Sequence, residues 1–453
     1  MLEFSNRLID RAFRNWLPKA WRSQRKATQM EQLDLSTELN DGDISVLRQW
    51  IDHCLADEGC QATARSRSAE LGGNYLLLNA AGRLRFFELL SSEYGADEAE
   101  VQAAVQAWQN SEKDKTLAEH QLRLALTTQR YKLLRHFSSL PSGVKFLVDM
   151  RAEVLRLVRK HPQLHALETD LKLLLSTWFD VGLLQLEQIT WRSSAEVLEK
   201  LIAYEAVHEI KSWRDLKNRL DSDRRCFAFF HPNMPNEPLI FVEVALVNGV
   251  TSNVQELLDE DAPVVDIEQA NTAIFYSISN AQRGLAGISF GNYLIKQVVT
   301  VLQEEFPHLT HFSTLSPIPG LMGWLKKTHP QTWQQLVGMD SSSDKNDLHA
   351  DIEHVESLSE NQKNALLSTA LHYLSQEKRG ENALDSVAHF HLSNGALLYK
   401  LNWLADTSPR GMDQSAGLMV NYLYELDEIA DRSLAYARNG QIAISAKLRK
   451  LLK

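Results

Sequence analysis

Ser316 stands at the head of Ser316-Pro317-Ile318-Pro319-Gly320, where a short apolar run meets a turn with two prolines. Each proline fixes φ and removes a backbone donor, so the turn is stiff. Stiffness suits a hydroxyl that must be held in one orientation, although most Ser-Pro dipeptides are turns with an incidental serine. His389 and His391 lie in Val387-Ala388-His389-Phe390-His391-Leu392-Ser393-Asn394-Gly395. Read as a strand over 387–392, both histidines point to one face, because strand side chains alternate. A helix is then expected after Ser393 or Asn394, both favoured N-caps. Two histidines on one face could suggest zinc, but no third ligand is identifiable, so no metal is expected. An imidazole titrating near neutrality suits proton transfer. For either histidine alone, a structural role is the simpler reading.

A third candidate is the run Ala273–Ser279, then a glycine-rich turn with Gly284, Gly287 and Gly291, then an amphipathic segment from Tyr293 to Glu305. Leu294, Ile295, Val298, Val299 and Leu302 mark the inward stripe of that helix. Glycines let the backbone turn tightly and approach a ligand without Cβ obstruction. The first N–H groups of the following helix can meet an anion at the positive end of the macrodipole. A phosphate-binding loop is the functional reading, and a turn whose glycines merely fit is the structural one. Spacing alone favours the latter, since it matches neither a dinucleotide fingerprint nor a nucleotide-triphosphate loop.

The elements that must position these groups fall into two textures. Up to about Val181, helical periodicity dominates. Val101, Val105 and Trp108 share one helical face, and Phe146, Met150, Val154 and Val158 another. Pro141, Gly143 and Pro162 punctuate these helices. After Gly182, strands are expected at 184–190, 226–230, 239–247, 273–279, 310–315, 387–392 and 418–424. The second through fourth include two runs, Leu239–Val247 and Ala273–Ser279, apolar enough to lie in the middle of a sheet. Helices are expected at 293–305, 362–375 and 397–404. The fold class is α+β: an all-helical bundle at 1–181, then a mixed α/β domain at 182–453. Residues 341–347 read as an exposed loop and Asp259-Glu260-Asp261 as a solvated turn.

Length and composition set outer bounds. A chain of 453 residues calls for two or three domains, and 44% hydrophobic with 23% charged residues is the balance of a globular protein. A net charge of −10 argues against nucleic-acid binding, which needs clustered Lys and Arg. Three cysteines (Cys54, Cys60, Cys226) make no disulfide framework, so a reducing, cytoplasmic setting is expected. No run approaches the ~18 apolar residues of a membrane span. Residues 1–26 are amphipathic and Arg-rich, as a mitochondrial presequence would be. Glu3 and Asp10 interrupt them, and a first helix of the fold is preferred.

Four long segments together resemble the malonyl-CoA decarboxylase family. They are His231–Leu258, Thr272–Val299, Phe306–Gly320 and His389–Asp406. Gln282-Arg283-Gly284-Leu285-Ala286-Gly287 is also similar to the pyrophosphate loop of the GNAT acyltransferase fold, so the resemblance implies a GNAT-like catalytic domain over 182–453. It further implies that Ser316 and His391, not His389, are catalytic. The malonyl-CoA loop falls on Ala286, Gly287, Ile288, Ser289, Phe290, Gly291 and Asn292, with Tyr424 near the site. The family can carry an acidic residue where Ser289 stands, which is a departure here. The implied activity is that of a carboxy-lyase of fatty acid metabolism, releasing acetyl-CoA and carbon dioxide, in a homotetramer assembled through the helical bundle. No cofactor is expected beyond the coenzyme A that the substrate carries.

Decarboxylation sends the C–C bonding electrons toward the thioester carbonyl, and the resulting enolate must be protonated. An arginine clamped on the carboxylate would stabilise the charge about to leave and slow the step. A neutral hydroxyl such as Ser316 orients it with less ground-state stabilisation. His391 is suited to protonate the enolate carbon by its ordinary pKa, and backbone N–H groups near the strand ends are expected to serve the thioester oxygen. The alternatives are an acyl-CoA-dependent acyltransferase on the same scaffold and a non-catalytic coenzyme A sensor.

Overall fold

A computed structural model describes residues 35–452 apart from 57–60, 112–113, 139, 141, 289–290 and 337–347. The expected first helix within 1–26 and the expected loop at 341–347 both lie outside the described residues. Two compact units emerge: residues 1–180 with 282–288, and residues 181–281 with 289–453. Among the described residues no helix is long and apolar enough to cross a membrane.

The first unit is helical. Its helices are α1 (Asp41–Ala56), α2 (Gln61–Leu77), α3 (Ala80–Glu93), α4 (Glu98–Asn110), α5 (Lys115–Ala125), α6 (Gln129–Phe137), α7 (Gly143–Leu157) and α8 (His165–Trp178). Several start where an oxygen-bearing side chain takes a free first-turn N–H. Asn79 accepts from Gly82, Asp97 from Ala99 and Glu100, and Thr128 from Tyr131. Tyr75, Phe86, Phe87, Phe137 and Phe146 form an aromatic core, with Tyr75 meeting Phe146 edge-on at 5.4 Å. Phe146, Met150 and Val154 of α7 are buried as their spacing predicts, and Val158 is half-buried. Val101, Val105 and Trp108 lie on α4, which buries none of its residues.

The second unit is built on an eight-stranded sheet. Its strands are β1 (Gln185–Ile189), β2 (Arg224–Phe230), β3 (Ile240–Val247), β4 (Thr272–Asn280), β5 (His311–Thr314) and β6 (Ser316–Pro317). A two-stranded hairpin follows, β7 (Lys378–Arg379) and β8 (Asn382–Ala383), and then β9 (Leu397–Asn402) and β10 (Met419–Leu423). The path runs β1-β2-β3-β4-β5-β10-β6, with β9 on β10, and among the described strands only the β4–β5 pair is parallel. β3 is buried along its whole length and β4 along most of it, as expected of strands covered on both faces. A helical region followed by a mixed α/β domain is the fold class that the sequence implies.

Two local expectations are overturned. Residues 386–393 are an α-helix, not a strand, and residues 397–402 are the strand β9, not a helix. The alternation in His389-Phe390-His391-Leu392 mimics a period of two. Asp385 decides otherwise: its carboxylate accepts from the Val387 and Ala388 N–H groups at 3.0 and 2.9 Å and starts the helix ahead of both histidines. Ser393 and Asn394 therefore end a helix rather than begin one. Gly395 follows at φ +80°, and a Cβ there would lie 2.1 Å from the Ile429 carbonyl oxygen. That left-handed residue turns the chain into β9.

Candidate active site

β5 ends at Thr314, and Ser316 follows on a two-residue strand that pairs antiparallel with β10 at Val420. The helix 386–393 brings His391 to it, 75 residues later in the chain. Ser316 Oγ and His391 Nε2 are 3.1 Å apart. On the other side of the ring, His391 Nδ1 and Tyr424 Oη are 2.8 Å apart. Ser316, His391 and Tyr424 are each at most 5% exposed. His389 does not share this site. Two residues on a helix are about 200° apart, and His389 Nδ1 instead meets Tyr436 Oη at 2.9 Å. The same divergence removes the zinc arrangement that a strand would have allowed. Among the described residues no group of three His, Cys, Asp or Glu side chains is placed to hold a metal ion.

Burial sets the electrostatics. Desolvation disfavours imidazolium, and His391's pKa falls from 6.5 to about 3. The ring is neutral at physiological pH, below the near-neutral titration that its residue type suggests. Burial likewise pushes the Tyr424 phenol well above its ordinary value, so it is a neutral O–H. Tyr422 stacks on the imidazole with centroids 4.6 Å apart and planes 25° apart. The ring is thus held by two polar contacts and one flat face.

Asp385 connects the serine turn to the histidine helix. Besides capping that helix, its carboxylate takes the Gly320 N–H and the Tyr373 hydroxyl, the latter at 3.3 Å. Burial raises its pKa, while these four donors pull it back down. Tyr373 approaches so closely that a Cβ on Gly320 would sit 2.1 Å from its Oη. The last residue of the Ser-Pro-Ile-Pro-Gly turn is therefore glycine for steric reasons.

The glycine loop belongs to the helical unit. Gly284 lies on α7, where a Cβ would come 1.8 Å from the Val148 carbonyl oxygen. Buried Arg151 donates to the Gly284 and Ala286 carbonyls at 2.5 and 2.9 Å, and pairs with Glu168 at 2.7 Å. The Leu285, Ala286 and Ile288 N–H groups close local turns. Gly287 takes φ +74°, and Lys172 Nζ lies 3.5 Å from where its Cβ would be. Ala286 and Gly287 are exposed and Ile288 is half-buried. Ser289 and Phe290 lie outside the described residues. Gly291 and Asn292 begin the helix Gly291–Glu305.

Sequence reasoning passed over Thr314, Tyr422, Asp385, Arg151 and Lys172. Thr314 and Tyr422 stand two residues before Ser316 and Tyr424, so strand alternation could have flagged them once those partners were chosen. Asp385 is a helix cap whose signal was hidden by reading the next residues as a strand. For Arg151 and Lys172 no local signal exists, because their relation to the loop is made by the fold.

The profile for the malonyl-CoA decarboxylase C-terminal domain matches residues 182–453, and that for the malonyl-CoA decarboxylase N-terminal domain matches 94–179. The mitochondrial malonyl-CoA decarboxylase of Anser anser anser is 38% identical over 428 residues, covering 85% of this chain and 83% of that protein. The mitochondrial malonyl-CoA decarboxylase of Rattus norvegicus is 38% identical over 409 residues, covering 83% of each. The crystal structure of malonyl-CoA decarboxylase from Rhodopseudomonas palustris superposes with a TM-score of 0.81 at 38% identity. It covers 90% of this chain and 99% of its own.

Proposed function

This chain belongs to the malonyl-CoA decarboxylase family, and we propose that it is a carboxy-lyase converting malonyl-CoA to acetyl-CoA and carbon dioxide. The observation that carries the reading is the buried contact of Ser316 Oγ with His391 Nε2 at 3.1 Å. Ser316 orients the malonyl carboxylate by a neutral hydrogen bond. The bond between Cα and the carboxylate carbon breaks, and its electron pair moves into the thioester carbonyl to give the enolate. The Nε2 proton of His391 then passes to Cα. Nδ1 takes the Tyr424 phenol proton across the 2.8 Å contact; after product leaves, water protonates Nε2 and the Nδ1 proton returns to Tyr424. One proton from solvent is consumed per turnover, which balances the loss of carbon dioxide from an anionic substrate.

Ala286, Gly287, Ile288, Ser289, Phe290, Gly291 and Asn292 are the proposed malonyl-CoA loop. Support comes from the exposed Gly287 backbone and from the adjacent Lys172 ammonium, a positive charge suited to phosphate. The reaction needs no cofactor beyond the coenzyme A of its own substrate. The remaining parts of the proposal are a cytoplasmic setting, supported by the sparse cysteines, a place in fatty acid metabolism, and self-association into a tetramer through the helical unit.

The decisive assay supplies purified protein with malonyl-CoA and no acceptor. Acetyl-CoA and carbon dioxide in equal amounts are expected. Turnover only on adding an amine would assign an acyltransferase instead, and binding without turnover a coenzyme A sensor.

A further inference from the structure

We propose that Thr314 is the positioning residue that sets the direction of the hydrogen-bond chain through Ser316 and His391, so that the ring proton of His391 resides on Nε2. The inference rests on the proposed roles of Ser316 and His391 and adds a residue to which neither family resemblance nor motif points.

Thr314 is the last residue of β5 and is fully buried. Ser316 Oγ donates to Thr314 Oγ1 at 2.8 Å. Thr314 Oγ1 also accepts the backbone N–H of Tyr422 at 3.2 Å. That amide falls where the β9–β10 register shifts, between Asn421 and Tyr422, so a side-chain oxygen takes up a donor at an irregularity in the sheet. The Asn421 amide donates to the Thr314 carbonyl oxygen at 2.7 Å, fixing the residue from its backbone as well. Thr314 is therefore an immobile acceptor aimed at Ser316.

A serine hydroxyl has one proton to give. In the free site, and again once the malonyl carboxylate that Ser316 orients has left as carbon dioxide, that proton goes to Thr314, which leaves a lone pair of Ser316 Oγ facing Nε2, so the 3.1 Å contact requires a proton on Nε2. A neutral imidazole carries one ring proton, and burial keeps this ring neutral. Nδ1 is then a bare acceptor for the Tyr424 hydroxyl. The chain runs in one sense: Tyr424 O–H to Nδ1, Nε2–H to Ser316 Oγ, Ser316 O–H to Thr314 Oγ1. This is the sense in which His391 presents a transferable proton at the Ser316 side. Without the Thr314 acceptor, the Ser316 proton would turn to Nε2 and drive the ring proton to Nδ1, where the enolate cannot use it.

The test compares Thr314→Val, which removes the hydroxyl at similar volume, with Thr314→Ser, which restores it. Thr314→Val is expected to lower kcat roughly tenfold or more with KM little changed. Thr314→Ser should retain most of the turnover. In protein labelled with 15N-histidine, the His391 resonances are identified by their loss in His391→Asn. They should show protonated Nε2 in the unaltered protein and in Thr314→Ser, and protonated Nδ1 in Thr314→Val. Because Thr314 acts through Ser316, adding Thr314→Val to Ser316→Ala should cost nothing beyond Ser316→Ala alone. Should Thr314→Val fail to fold, Thr314→Ala takes its place in every comparison. Full turnover in Thr314→Val beside an impaired Ser316→Ala overturns the inference and leaves the proposed function standing. A double variant far below Ser316→Ala, or Nδ1 protonated in the unaltered protein, also overturns it. Full turnover in Ser316→Ala defeats the underlying reading and the inference together.

Discussion

His391 is the residue on which most depends, and its environment makes two outcomes measurable. Replacing it with Asn keeps a polar side chain but removes the transferable proton. Turnover should fall by roughly 10²-fold or more, while coenzyme A binds with unchanged affinity by calorimetry. The second outcome concerns stability. With a folded pKa near 3 and an ordinary value of 6.5, His391 stays neutral in the fold while the unfolded chain gains a proton between those values. Stability thus rises with pH through that window and is lost as pH falls through it. The contribution amounts to about 2 kcal/mol between pH 7 and pH 5. Urea unfolding of His391→Asn, which cannot take that proton, should therefore lose less stability on the same acid shift. Equal losses would mean that the ring is not desolvated.

At the scale of elements, two connections hold the working parts. Asp385 fastens the start of the histidine helix to Gly320 at the end of the serine turn. Asp385→Ala should lower stability by ~1–2 kcal/mol as a lost cap. It should also reduce kcat more than it changes KM, since the Ser316–His391 distance is what loosens. Arg151 fastens the proposed malonyl-CoA loop by its Gly284 and Ala286 carbonyls. Arg151→Met should raise the KM for malonyl-CoA severalfold with kcat largely kept. A KM equal to that of the unaltered protein would remove the loop from substrate binding. Both connections are polar and buried, so each replacement strands donors or acceptors as well as removing a contact.

At the scale of the whole molecule, the helical unit carries apolar side chains that its own chain leaves in water. Leu117 and Leu124 of α5 are 56% and 58% exposed, and Trp108 of α4 is 37% exposed. Scattered exposed leucines are ordinary, but three on two consecutive helices fit the proposed self-association. Light scattering should give a mass four times the 51.5 kDa of one chain. Leu117→Glu with Leu124→Glu should lower that mass without unfolding the helices. An unchanged mass would place assembly elsewhere.

Much of the fold was legible because its signals are local. The runs of β3 and β4 are too apolar and β-branched to lie anywhere but inside a sheet, and α7 repeats its buried residues at helical spacing. Ser316, His391 and Tyr424 were chosen by motif, and composition pointed away from nucleic acid. Local signals failed where two readings share a pattern: His389-Phe390-His391-Leu392 alternates like a strand, and only the Asp385 cap and the Gly395 turn make it a helix followed by β9. The tertiary structure alone decided that the imidazole is buried and neutral, and that Thr314, Arg151 and Lys172 neighbour the candidate site residues. The physical reason is separation along the chain. A side chain's own neighbours fix its periodicity, whereas its desolvation and hydrogen-bond partners come from segments dozens of residues away. Those are brought close only when the sheet and helices assemble.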